Sequence, residues 1–182
     1  MLKSRLCIAF FAFAVGCAPA QKPLTDYVNP MLGTATLWDS VDLGFKPTKR
    51  TWGAEVFPGS SLPNAMVQVS PVTKFHSGAG YQYEDSVIYG FTHTNKGHWN
   101  LCHIPLLPVT GTPTPGDYCS PFSHERESAA PGYYQVFLDR YGVDAQLSST
   151  LRCAFHKYTY PAGAAASLLA ELQRSNEHVR AW

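Results

Sequence analysis

Histidine and aromatic residues are concentrated near the middle of the sequence, where the segment His98-Trp99-Asn100 follows a glycine, Gly97. A sugar site needs a flat aromatic platform for the C–H face of the ring, together with amide or imidazole groups for the hydroxyls. This segment supplies both kinds of group, and the glycine before it favours a loop. The alternative is that Trp99 belongs to the core and the histidines cap loops, and the residues alone favour neither.

Three histidines of this region, His93, His98 and His103, recur at intervals of five. Odd spacing places successive residues on opposite faces of a strand, and a spacing of five does not follow one face of a helix. A three-histidine metal site would therefore require an irregular loop. No Cys-x-x-Cys pair is present, and we predict no metal site in this chain.

Carboxylates are too few and too badly placed to form an evident acid/base pair. Glu84 and Asp85 are adjacent, so on a strand they would point apart, and Glu125 and Glu127 flank an arginine. We predict that these carboxylates are solvated turn residues. The serines before His124 lack the Gly-x-Ser-x-Gly context of a nucleophile, and we predict no catalytic residue in this chain.

The first twenty residues are typical of an export signal. A short basic region with Lys3 and Arg5 precedes eleven mostly apolar residues, 6–16, too few to span a bilayer as a mature helix. Residues 14–17 (Ala-Val-Gly-Cys) are similar to a lipobox, which predicts a signal peptide over 1–20 and lipidation of Cys17. Simple secretion, with cleavage at the small residues 18–20, is the alternative.

We therefore expect an exported protein in the periplasm or at the cell surface, held to the membrane only by a lipid anchor. The formal net charge is +1 and no run of five basic residues occurs, so nucleic acid is not an expected partner. With Cys7 and Cys17 assigned to the export segment, Cys102, Cys119 and Cys153 remain. An oxidising compartment permits one disulfide among them, and three buried thiols are the alternative.

Charged residues make up 15% and aromatic residues 13% of the chain, a composition that favours a compact core over disorder. Glycine and proline are spread along the sequence and separate short apolar or alternating runs, which favours a β-sandwich or barrel. The clearest hairpin joins residues 133–138 to an alternating run from Val143. We expect that run to continue through Leu151, Cys153 and Phe155, with a bulge near His156.

The other predicted elements are less regular. Residues 66–69 and 87–91 are candidate strands, and residues 101–109 are an edge strand or a split strand because of Pro105 and Pro108. Near the end, residues 164–172 favour a helix by propensity, whereas residues 167–172 also fit a buried strand.

Eight short motifs occur in the order in which glycoside hydrolase family 92 has them, and they cover most of residues 27–160. They are Tyr27 to Thr34 (YVNPMLGT), Val56 to Gly59 (VFPG), Met66 to Pro71 (MVQVSP), Ser77 to Tyr81 (SGAGY), Gly90 to Thr94 (GFTHT), Ser120 to Glu125 (SPFSHE), Pro131 to Tyr134 (PGYY) and Phe155 to Tyr158 (FHKY). The chain therefore resembles the N-terminal domain of this family of calcium-dependent exo-α-mannosidases.

The resemblance implies an all-β fold over 27–182, a β-sandwich (supersandwich) truncated at its C-terminal end. In the family an (α/α)₆ barrel follows, which is absent here. The barrel supplies the general acid, the general base and the calcium ligands for hydrolysis of mannose-containing glycans with inversion. The sandwich packs on its own barrel and lends loop residues to the pocket. By resemblance, Trp99 is then a sugar platform near the leaving-group subsite, and His93, His98 and Asn100 are hydroxyl partners.

The sequence also departs from the family pattern. A longer insert occupies residues 38–54, and Asn95-Lys96-Gly97 replaces the usual His-Leu-Ser-Gly, so the linkage that is cleaved can differ. A fragment without the barrel is expected to be inactive alone. The alternative function is a non-catalytic carbohydrate-binding lipoprotein module.

Overall fold

The computed structural model describes residues 21–36, 44, 54–75, 77–96, 99–100 and 102–172. The described part consists of strands joined by turns, with two short 3₁₀ helices, Leu24–Tyr27 and His124–Arg126. The strands are β1 Ser60–Ser61, β2 Gln68–Val72, β3 Val87–Ile88, β4 Gly90–Thr92, β5 Asn95–Lys96, β6 Trp99–Asn100, β7 Leu106–Thr110, β8 Ser120–Pro121, β9 Glu127–Ala130, β10 Tyr133–Leu138, β11 Val143–Ser149, β12 Ala154–Thr159 and β13 Ala166–Ala170. The predicted all-β class is confirmed.

Two antiparallel sheets form the body of the domain. One has the order β1-β2-β4-β7-β13 and the other the order β12-β11-β10-β9, while β3-β8 and β5-β6 are two-stranded ladders. Phe91 and Leu107 of the first sheet and Tyr134, Val136 and Val143 of the second belong to one buried cluster. The sheets therefore pack face to face over a shared core, as a β-sandwich does.

The predicted hairpin is confirmed in β10 and β11. Alternate residues of both strands are buried, and Val136 lies opposite Ala145 in an uninterrupted register. Gly142 ends the connecting turn with φ of 65°, a conformation that a residue without Cβ adopts at no steric cost. Period-two alternation was a reliable signal here because one face packs on the core and the other is wet.

The predicted continuation of β11 beyond Ser149 is wrong. The chain turns back at once, with the Thr150 amide donating to the Cys153 carbonyl at 2.8 Å. Leu151, Cys153 and Phe155 are consequently exposed. The register between β11 and β12 is unbroken, so the predicted bulge near His156 is also absent. The apolar phase changes there because β12 is a new antiparallel strand.

Two further expectations are corrected in the five-stranded sheet. Residues 166–170 form the strand β13, not a helix, but this strand lies at the sheet edge and is largely exposed, with Leu168 54% accessible. The strand β7 begins after Pro105 and continues through Pro108, so Pro108 does not split it, and β7 lies between β4 and β13 and is not an edge strand. Pro108 is tolerated because β4 pairs with β7 only at Leu106, so the prolyl nitrogen lies beyond the end of that ladder.

The two earlier candidate strands are present with shifted bounds. The first becomes β2, Gln68–Val72, and the second divides into β3 and β4 on either side of Tyr89. Gly90 has φ of 150°, and a Cβ there would lie 3.2 Å from the Leu106 carbonyl oxygen. This backbone conformation breaks the run that the apolar sequence suggested.

A close backbone crossing lies where β1 approaches β2. A Cβ built on Gly59 would fall 1.9 Å from the Val69 carbonyl oxygen and 2.6 Å from the Ser70 Cα. Only glycine fits between these strands, which explains the Pro58-Gly59 turn in physical terms.

Within the described residues, Cys102, Cys119 and Cys153 form no disulfide. Cys102 is buried, Cys119 is half-buried and Cys153 is exposed, so the expected disulfide is not formed, and of the three thiols only Cys102 is a core residue. In the described part of the chain, neither helix has the length and apolar character needed to cross a membrane.

Candidate functional site

The predicted sugar-binding loop is a short hairpin that begins directly after β4. Asn95 pairs with Asn100 and Lys96 pairs with Trp99, while His93 lies two residues before β5. The backbone therefore places Trp99 and Asn100 on one small ladder, with His93 two residues before it. For Trp99 and Asn100 the structure describes the backbone pairing but not the side chains, and His98 lies outside the described residues.

A set of buried hydrogen bonds anchors this hairpin to the five-stranded sheet. Asn95 is 1% exposed, and its Nδ2 donates to the carbonyls of Gln68 and Thr92 at 3.3 Å. The Thr92 hydroxyl donates to the His103 carbonyl at 3.0 Å, and the His103 amide donates to Thr94 Oγ1 at 3.0 Å. Both ends of the hairpin are therefore fixed to strands β2 and β4, on a rigid base.

His93 also links the hairpin to the opposite sheet. Its Nε2 lies 2.6 Å from Nε2 of His156 on β12, and Nδ1 of His156 lies 2.6 Å from the Tyr158 hydroxyl. The buried ring of Phe91 contacts both His156 and Tyr158, with centroids 6.5 and 6.1 Å apart. A row of hydrogen-bonded polar side chains thus connects the two sheets beside the candidate loop.

Burial keeps these groups neutral near pH 7. It lowers the pKa of His93 and lowers the pKa of His156 to about 4, with the neighbouring His93 adding to the second effect. Burial also raises the pKa of Tyr158, and Tyr160 adds to this rise. Desolvation disfavours the charged form in each case. Both imidazoles are therefore neutral and the phenol is protonated.

A second polar cluster surrounds Glu127 on β9. Its carboxylate is 1% exposed and accepts hydrogen bonds from the Tyr81 hydroxyl at 2.9 and 3.0 Å and from the Tyr134 hydroxyl at 2.5 Å. Nδ1 of His124 lies 2.5 Å from the same carboxylate, and Nε2 lies 2.6 Å from the Tyr83 carbonyl. The prediction that the carboxylates are solvated turn residues is therefore wrong for Glu127.

The Glu127 cluster stabilises the core of the domain, and its carboxylate is not open to a ligand. Burial raises the pKa of Tyr81 and of Tyr134, and the negative charge of Glu127 adds to both effects. Both phenols consequently remain protonated donors. The sequence did hold a signal for this role, since Glu127 shares the parity of Ala129 on the inward face of β9.

The adjacent carboxylates Glu84 and Asp85 have structural partners as well. The Glu84 carboxylate accepts from the Thr36 amide at 2.6 Å, and Asp85 accepts from the Thr73 hydroxyl at 2.9 Å. Ser123 caps the second 3₁₀ helix. Within the described residues no group of three or more His, Cys, Asp or Glu could hold a metal ion, so the donor set described here does not fit a calcium site.

Comparison with known proteins adds a decisive observation. Residues 27–181 match the glycosyl hydrolase family 92 N-terminal domain. The chain belongs to this family. Family 92 membership agrees with the sandwich fold and with the ordered motifs of the sequence. No curated protein sequence is significantly similar to this chain.

Solved structures of family 92 proteins are also similar to this domain. The α-mannosidase BT3965 from Bacteroides thetaiotaomicron, in complex with mannoimidazole, is 33% identical with a TM-score of 0.63, over 77% of this chain and 18% of that chain. The inverting mannosidase BT2199 from B. thetaiotaomicron VPI-5482 is 26% identical with a TM-score of 0.64, over 82% and 20%. The family 92 glycosyl hydrolase ccman5 is 26% identical with a TM-score of 0.63, over 84% and 21%.

This family 92 chain therefore spans about a fifth of the length of these structures. Of its predicted substrate-binding residues, His93 is the one whose side chain the structure describes, and it lies at the seam of the sandwich. Its partners His156 and Tyr158 were not predicted as site residues. Both belong to the Phe155 to Tyr158 motif, which the sequence offered only as a sign of family membership.

Proposed function

We propose that this chain is the N-terminal sandwich domain of an exo-acting α-mannosidase that hydrolyses α-mannosidic linkages of glycans with inversion. Family 92 membership supports the reaction class, and two similar structures carry the name of mannosidases. The observation that carries the role of the domain is the β5–β6 pairing, which sets Trp99 and Asn100 on one anchored hairpin, with His93 two residues before it.

In this proposal the sandwich forms one wall of the substrate pocket. Trp99 provides the platform for a mannose ring, and His93, His98 and Asn100 bind its hydroxyls. The Glu127 carboxylate is fully engaged inside the domain, which supports placing the general acid and base on a partner barrel domain. Calcium and its ligands belong to that barrel, and we assign no step of the reaction to calcium here.

We further propose that the protein is exported and lipid-anchored through Cys17, which, with all of residues 1–20, lies outside the described residues. Its partners are then extracellular glycans containing mannose, such as N-glycans or mannan. Replacing Cys17→Ser should move the protein from the membrane fraction to the soluble periplasmic fraction and abolish incorporation of labelled palmitate. Unchanged fractionation and labelling would contradict the anchor.

The test of the pocket role uses the protein expressed from the whole reading frame, extended past Trp182 if the gene continues. Trp99→Ala should lower kcat/KM for mannobiose roughly twofold to tenfold, since one aromatic platform contributes about 0.5–1.5 kcal/mol. Phe155→Ala, at an exposed aromatic on β12, is the control and should leave kcat/KM unchanged.

The same experiment separates the two candidate functions. Hydrolysis of mannobiose with release of the inverted anomer supports the enzyme. Binding of mannobiose without any hydrolysis supports the non-catalytic module instead. If wild type and Trp99→Ala were equally active on every linkage, the assignment of Trp99 to the pocket would be wrong.

A further inference from the structure

The hydrogen-bonded row of side chains Tyr158–His156–His93 has only two consistent proton arrangements. A neutral imidazole carries one N–H donor and one lone pair, so a proton on one nitrogen makes the other an acceptor. The contacts at 2.6 Å on both nitrogens of His156 therefore link its tautomer to that of His93. Either the protons point from Tyr158 towards His93 or they all point the other way.

The environment of the tyrosine selects the first arrangement. Burial raises the pKa of Tyr158, so its hydroxyl keeps its proton and needs an acceptor. Among the described residues the only hydrogen-bond partner of this hydroxyl is Nδ1 of His156. The nearby Tyr160 differs, because it donates to the Ser167 carbonyl at 2.9 Å.

The order of protons along the chain follows from this donor. With Tyr158 donating to Nδ1, His156 carries its proton on Nε2 and donates to Nε2 of His93. His93 must then carry its proton on Nδ1. That nitrogen has no hydrogen-bond partner among the described residues. His93 itself lies two residues before the β5–β6 hairpin that contains Trp99.

We propose that Tyr158 and His156 are positioning residues that hold His93 as the Nδ1–H tautomer, so that it presents a fixed N–H donor to a sugar hydroxyl oxygen. The identity of the ligand rests on the proposed function, whereas the tautomer does not. A donor that is oriented before binding avoids the cost of selecting one ring orientation and one tautomer on association. A histidine on a free loop would present a mixture of both tautomers.

The first test reads the tautomer directly. Long-range ¹H–¹⁵N NMR spectra of the 182-residue chain at pH 7 should show the His93 proton on Nδ1. Among the described residues Tyr158 is the one donor to His156, so Tyr158→Phe should convert His93 to a mixture of tautomers. Tyr160→Phe is the matched control and should leave the His93 signals in place. A wild-type proton on Nε2, or an unchanged His93 in Tyr158→Phe, overturns the proposal.

The second test measures the consequence for binding, with mannobiose as the probe. His156→Leu, which can neither donate to His93 nor accept from Tyr158, should weaken binding roughly threefold to tenfold, the range expected for one hydrogen bond. His156→Gln retains a donor and an acceptor and should recover most of the affinity. Equal affinities for wild type and a folded His156→Leu overturn the binding role.

The two failures are distinguishable. If the 182-residue chain shows the Nδ1–H tautomer and its dependence on Tyr158, but the protein expressed from the whole reading frame binds no mannobiose, the proposed sugar function fails and the tautomer assignment stands. If mannobiose binds and the tautomer does not depend on Tyr158, the positioning role fails and the sugar function stands.

Discussion

The hydroxyl of Tyr134 donates to the carboxylate of Glu127 at 2.5 Å, from β10 to the neighbouring strand β9. Both side chains are almost entirely buried. A carboxylate inside a β-sandwich is costly unless it is fully hydrogen-bonded. Here Tyr81, Tyr134 and His124 together provide its hydrogen bonds. The contact between Tyr134 and Glu127 therefore holds β9, at the edge of the four-stranded sheet, against the core.

Removing this carboxylate should strongly destabilise the domain. Glu127→Ala leaves two buried phenols without their acceptor, and we expect the free energy of unfolding to fall by about 3 kcal/mol. The measurement is the urea midpoint of the purified chain. Glu125→Ala, two residues away on an exposed position, is the control and should change the value by less than about 0.5 kcal/mol. A loss below about 1 kcal/mol for Glu127→Ala would show that the cluster contributes little.

Acid should destabilise the domain through His156. Burial lowers its pKa in the folded protein to about 4, against about 6.5 in the unfolded chain. Below pH 6.5 the unfolded chain binds the additional proton first, so stability that is present above this pH is lost progressively as the pH falls through 4. We expect a loss of about 1–2 kcal/mol from this residue, after a discount for the partly exposed ring.

The readout is the free energy of unfolding from pH 7 to pH 4 for wild type and His156→Gln. Carboxylates titrate in both proteins, so the difference between the two curves isolates the histidine. His93, which faces His156 from the segment after β4, and Tyr158 on β12 are present in both. Parallel curves would contradict the lowered pKa.

The crossing at Gly59 should not tolerate a side chain. Gly59→Ala places a Cβ against the Val69 carbonyl oxygen, and relief requires backbone movement in β1 and β2. We expect a loss of about 3 kcal/mol in unfolding free energy or failure to fold. Gly132→Ala is the matched control, because it has φ of 78° but open space around its Cβ, and it should cost only about 1 kcal/mol. Equal effects of the two substitutions would disprove the steric argument.

The thiols should differ sharply in reactivity. Cys153 is exposed, whereas Cys102 is buried and burial raises its pKa to about 12. Because the thiolate is the nucleophile, a thiol reagent such as DTNB should modify Cys153 within the native protein and reach Cys102 only on unfolding. Comparison of wild type with Cys153→Ser identifies the fast phase by its loss. Rapid native labelling of Cys102, located by peptide mapping, would contradict its buried position.

Several features of this domain could be predicted from the sequence because they depend on local order. The β10–β11 hairpin followed from strict alternation and a glycine in its turn, since period two with a wet face describes a strand wherever it occurs. The family also followed from the sequence, because its motifs are short, ordered and continuous. The candidate loop, residues 90–103, was also proposed from the sequence, and its role in binding stays a prediction.

Other features were decided only by tertiary contacts. The alternation continued through residues 151 and 153, and only the pairing of β12 back onto β11 revealed a turn there. The prolines of residues 101–109 indicated an edge strand, yet β7 lies inside its sheet. This is possible because the pairing of β7 with β4 ends before Pro108. Sequence distance also hid the partners of Glu127 and His93, since Tyr81 and His156 lie 46 and 63 residues away from them. Side chains so far apart meet only when two sheets pack together, which no local pattern encodes.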